Sequence, residues 1–151
     1  MTISEIESKI INQGIETLPA STEEIKLLKS HLGIDSFPST YIDFLERMGN
    51  GTKNGFLQGH SCFLKELPNL KTWAIELLQE NGSNLTLDQN QFVFWMSQGY
   101  MFTFLDLSEG DDPPVYFYTE VSNPKNFIKI SDTFTEFLSR IESNDRELFK
   151  I

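Results

Sequence analysis

The sequence predicts a single α+β domain, an antiparallel β-meander with helices packed mainly on one side of it, and two observations carry that expectation. Apolar residues recur at helical spacing as far as about Glu80 and at strand spacing from Gln91 to about Ile130. The links between the extended runs, at Gly99, SEGDDPP and VSNPKN, are too short for the crossover helices that parallel neighbours require. With 151 residues, 39% hydrophobic and 13% aromatic, the chain has enough apolar surface for one substantial core, so residues 1–151 are read as one domain.

Each element has its own signal. Ser4 and Glu7 have capping-box spacing at the start of a helix with Ile3, Ile6 and Ile10 on one face, stopped at Gly14. Ser21 and Glu24 repeat the box before Ile25, Leu28 and Leu32, and Gly33 suits a left-handed stop. In FPSTYIDFLERMGNG, Pro38 suits a first helical turn and Tyr41, Phe44, Leu45 and Met48 form a stripe ended by Asn50-Gly51. A fourth helix, from about Pro68 to Glu80, carries Leu70, Trp73, Ala74 and Leu77 inward. QFVFWM, YMFTFLDL, VYFYTE and FIKI read as strands, with Phe56, Leu57 and the segment around Cys62 as sources of one or two more. Ser131 or Asp132 caps a last helix burying Phe134, Phe137, Leu138 and Ile141.

Charge narrows the classes of function. The net charge is −10, and from Thr72 through Pro124 there is no Lys or Arg while Glu76, Glu80, Asp88, Asp106, Glu109, Asp111, Asp112 and Glu120 carry eight negative charges. Nucleic acids and anionic membranes are bound through cationic side chains, which this aromatic third of the chain lacks. A cationic partner is the natural complement. The same charges would also keep an aromatic-rich domain in solution. The single cysteine, Cys62, allows no internal disulfide, and the charged amphipathic N-terminus is no signal peptide. No run approaches the roughly 20 apolar residues of a membrane span, so a cytoplasmic location is expected.

Chemistry has no clear home. His60 and Cys62, two apart, would share one face of a strand like a base and its nucleophile, but no third residue orients them, and a lone cysteine is usually a small buried hydrophobe. His31, His60 and Cys62 fall short of a zinc set, and Glu109-Gly110-Asp111-Asp112 lacks the alternating ligands of a calcium loop. The glycines from Gly49 to Gly59 do not spell a phosphate loop, and the Asn-x-Ser/Thr triplets at Asn50, Asn81 and Asn84 read as turns. No catalytic residue, metal or cofactor is expected. The strands suggest a surface instead: Tyr116, Tyr118 and Glu120 alternate onto one face of VYFYTE, next to the acidic loop, and tyrosines are favoured interface anchors. Glu109, Asp111, Asp112, Tyr116, Tyr118 and Glu120 are therefore the candidate partner-binding residues.

The ordered succession Pro38-x-x-Tyr41-x-x-Phe44-Leu45, Gly49-Asn50-Gly51, Gln98-Gly99-Tyr100, Asp112-Pro113-Pro114-Val115-Tyr116 and Phe134-x-x-Phe137-Leu138 resembles the SUKH superfamily, specifically its Smi/Knr-like group, over roughly residues 20–141. The resemblance implies one α+β domain with no catalytic residues. It also implies a bacterial immunity protein that binds and neutralises a toxin, often a nuclease or deaminase, whereas fungal relatives are linked to cell-wall regulation. A basic toxin domain would complement the acidic aromatic segment. The alternative is an intracellular scaffold or regulatory module holding a host protein.

Overall fold

The computed structural model describes residues 1–53, 55–57 and 59–150. The elements run α1 (Ile3–Asn12), β1 (Glu16–Leu18), α2 (Thr22–Leu32), α3 (Ser39–Met48), β2 (Gly51–Lys53), α4 (Leu67–Glu80), β3 (Gln91–Ser97), β4 (Met101–Asp106), β5 (Val115–Thr119), β6 (Ile128–Ser131) and α5 (Phe134–Glu142). The last four strands form one antiparallel sheet in sequence order, the meander that the short links require. This is an α+β domain. Among the described residues no helix is long and apolar enough to cross a membrane.

Both faces of the sheet are buried. A register shift between Val93 and Trp95 sends Phe92, Phe94 and Trp95 to one side. There they meet Tyr41 of α3, Phe134 and Phe137 of α5, and Phe149 of the C-terminal segment, with centroids 5.0–6.3 Å apart. On the other side Phe102 stacks on Tyr118 and Phe104 on Tyr116, and Phe127 closes against both phenylalanines. Helix α4 packs along β3. The alternation of VYFYTE thus places Tyr116 and Tyr118 on one face of the sheet, as expected.

Helix ends follow local chemistry, with shifts of one or two residues. The box at Ser21 and Glu24 forms reciprocally and Gly33 takes the left-handed conformation at φ 67°. The first helix is capped by Thr2, whose hydroxyl accepts from Glu5 N, and not by Ser4. Glu7 is thereby freed to accept from Thr17 of β1 and from Arg47 of α3, at 3.1 and 2.9 Å. Pro38 stands at the N-cap of α3, one residue ahead of its first turn. Thr133 caps α5, while Ser131 and Asp132, the expected caps, bond to Thr133 O and the Glu136 carboxylate.

Two expectations need larger correction. Phe56 and Leu57 form turns, and the Cys62 segment adds only a bridge between Ser61 and Met96. The extra strands are instead β1 and β2, paired Glu16 to Lys53 through Leu18 to Gly51, too short to show any alternation in the sequence. Gly49, between α3 and β2, lets the chain leaving β1 close on the end of α3: a Cβ there would lie 2.6 Å from Leu45 O and 2.9 Å from the Ala20 side chain. The second correction is Trp73, expected inward but 40% exposed. The buried stripe of α4 is Leu67, Leu70, Ala74, Leu77 and Leu78. At about 100° per residue Trp73 lies roughly 90° around the helix from its centre.

Candidate functional site

The β4–β5 loop is built by its own polar groups. Asp106 accepts from Ser108 N at 2.9 Å, Gly110 reverses the chain at φ 89°, and buried Pro113 leads into β5. Glu109 is exposed, and its carboxylate accepts from the Tyr116 hydroxyl at 2.9 and 3.2 Å. Burial and the neighbouring Glu109 and Asp106 charges push the Tyr116 phenol up to about 12, so it stays a donor at neutral pH. The carbonyl of Asp111 accepts from Thr40 N and Oγ1 at 3.1 and 2.9 Å, leaving its side chain in solvent. Asp112 differs from both: its Oδ1 accepts from Thr40 Oγ1 at 3.1 Å and Thr135 N at 3.0 Å. It therefore stitches the first turns of α3 and α5 together, where a carboxylate also complements the helix dipoles.

Among the described residues no ion pair reaches Glu76, Glu80, Asp88, Asp106, Glu109, Asp111, Asp112 or Glu120. Lys129 stands opposite Tyr116 in the sheet, but its ammonium turns to Asp132 at 3.0 Å. Among the described residues the lysine-free segment thus folds into a surface whose carboxylates form no ion pair, Asp88 having Lys71 beside its carbonyl.

The six candidate residues do not form one patch. Glu109, Asp111, Asp112 and Tyr116 gather at the start of β5, whereas Glu120 follows its end, about 13 Å away at the rise of a strand. Glu120 sits instead beside the C-terminus of α4, where its carboxylate accepts from Asn81 Nδ2 at 3.4 Å. Tyr118, proposed as an anchor, is 0% exposed, stacked on Phe102 and donating its hydroxyl to Asn123 Oδ1 at 2.7 Å. In this fold it is a core residue that a partner cannot touch. Trp73, missed as a surface residue, is the exposed aromatic on Glu120's side, and its offset from the leucine stripe was the available signal.

His60 and Cys62 do not act on each other. His60 Nδ1 lies 3.0 Å from Ser97 Oγ and its ring leans on Trp95, while Cys62 is buried and its thiol is pushed well up by burial and then by the Glu66 charge, against the thiolate a nucleophile needs. Burial lowers the pKa of His60. The unfolded imidazole, titrating near 6.5, then binds protons at pH values where the folded one does not, so this term is stabilising above about pH 6.5 and is lost as pH falls through the folded value. Between about pH 7.5 and 5 the thermal midpoint should fall further for the native chain than for His60→Gln, the carboxylates common to both cancelling. Equal slopes would show that the ring is solvated as in a free peptide.

Comparison with known proteins supplies the family. No curated protein compared with the chain matches it. The model of the SMI1 / KNR4 family (SUKH-1) matches residues 19–140, nearly the span over which the motifs around Tyr41, Gly99, Asp112 and Phe134 follow one another. With well over half of its 151 residues matched, and with the α+β meander those motifs build, this chain belongs to the SMI1 / KNR4 family (SUKH-1).

Proposed function

We propose that the protein is a non-enzymatic binding module of the immunity type, acting in the cytoplasm, which holds and neutralises a basic toxin domain of nuclease or deaminase chemistry. Family membership supports a protein-binding role. The observation that carries the electrostatic half of the reading is the set of carboxylates at Glu109 and Asp111 without a cationic neighbour, beside the half-buried Tyr116. A domain that grips nucleic acid presents cations in a groove, and an acidic rim around an aromatic surface matches both its charge and its apolar margin. Asp112 serves this surface indirectly, by fixing the loop to α3 and α5.

The reading expects a toxin-domain gene beside this one, and the test is co-expression with its product. Protection of growth together with a stoichiometric complex on gel filtration is the expected result. Loss of viability with no complex would remove the toxin from this reading and leave the scaffold alternative, in which a host protein takes its place.

A further inference from the structure

At the end of the sheet away from the acidic loop, a groove of about 410 Å³ runs between α4 and the β3–β4 turn. One wall is Trp73, Glu76 and Glu80, three and four residues apart and so stacked on one outward face of the helix; Leu77 and Met96 lie beneath and Gly99 stands across. Trp73 leaves 40% of its surface in water, more exposure than an indole needs for packing. Lys71, the only cation of α4, turns its ammonium away to the Asp88 carbonyl, so it does not neutralise Glu76 or Glu80. Glu120, held by Asn81 just beyond the helix, stands outside the groove lining.

The backbone says how a guest would be held. Ser61 exchanges both main-chain hydrogen bonds with Met96, at 2.8 and 2.9 Å, so the edge of β3 is already used there and an incoming chain has no ladder to join. Recognition falls to side chains. An indole face beside two unneutralised carboxylates suits a guanidinium, which is attracted to the ring and matches carboxylate geometry with its planar fork, whereas an ammonium satisfies the charge alone. A second copy of this chain is a poor occupant, because each copy brings a net charge of −10.

We propose that this groove docks an arginine-bearing segment of a protein partner, Trp73 taking the guanidinium face and Glu76 and Glu80 its charge. The surface is separate from the Glu109–Asp111 loop, and the inference does not depend on the partner being a toxin.

The experiment titrates the isotopically labelled chain with a blocked pentapeptide, Gly-Arg-Gly-Arg-Gly, and with its lysine and citrulline counterparts, followed by amide and indole NMR signals. The arginine peptide should move the Trp73 indole and the amides of Ser61 and Gly99, and bind about two- to five-fold tighter than the lysine peptide, with citrulline inert. Glu76→Gln with Glu80→Gln should weaken it by about ten-fold or more while the remaining spectrum is unchanged, both side chains being exposed. Shifts spread equally over Glu109 and Asp111, or insensitive to the double substitution, would overturn the proposal as general counter-ion binding. A chain that gives these shifts but captures no toxin loses the immunity reading alone; one that captures toxin but gives no shift at Trp73 loses this groove alone.

Discussion

Phe44→Ala is expected to cost about 3–5 kcal/mol, much of the stability of an ordinary domain. Phe44 is 2% exposed and stands where three parts of the chain meet: it stacks on Tyr41 of its own helix and on Phe63, and meets the edge of Phe134 from α5. Truncation takes one ring contact from each of the three and opens a cavity between them, and a helix tied down by Asp112 at its start and by Arg47 near its end cannot slide in to fill the space. For a chain of this length the thermal midpoint should fall by on the order of 10 °C. Leu27→Ala is the control, since Leu27 is 70% exposed and its loss should stay within about 0.5 kcal/mol. A Phe44 variant melting with the native protein would show that α3 does not turn this side chain into the core.

The stripe through Tyr41, Phe44, Leu45 and Met48 was legible because its spacing and the Gly49-Asn50-Gly51 break are local, and the same holds for the Ser21 box and the four strands. What escaped depends on contacts between distant residues. Asp112 reads as one more acid of GDDPP, and nothing nearby in sequence says that Thr40 and Thr135, 72 and 23 residues away, will converge on it. Tyr118 and Tyr116 alternate identically onto one face, yet Asn123 and Phe102 enclose the first while the second keeps a wet edge beside Glu109. Period-two alternation assigns a face and cannot say how deep under neighbouring segments each position lies. Glu120 was grouped with Glu109 because both flank β5, and a strand holds its two ends apart.

The binding prediction follows from that division. Glu109→Lys with Asp111→Lys should slow association with the cognate basic partner by about 10- to 100-fold at low salt and leave dissociation nearly unchanged, because exposed rim charges act by steering encounter. The deficit should shrink as salt shortens the Debye length to about 3 Å near 1 M. Asp112 is left untouched, since its loss would loosen α3 and α5 and confuse folding with binding. Tyr116→Ala separates the anchor from the charges: stacked on Phe104 with its hydroxyl on Glu109, it is the aromatic a partner can still reach at this end, and as a hot spot it would speed dissociation by about 30-fold, or about 2 kcal/mol. Tyr118→Ala should by contrast lower the thermal midpoint, because its ring belongs to the core. Native association of the double lysine variant at both salt concentrations, in a protein that melts normally, would mean that the partner approaches from the α4 side, where Glu76, Glu80 and Glu120 would supply the steering instead.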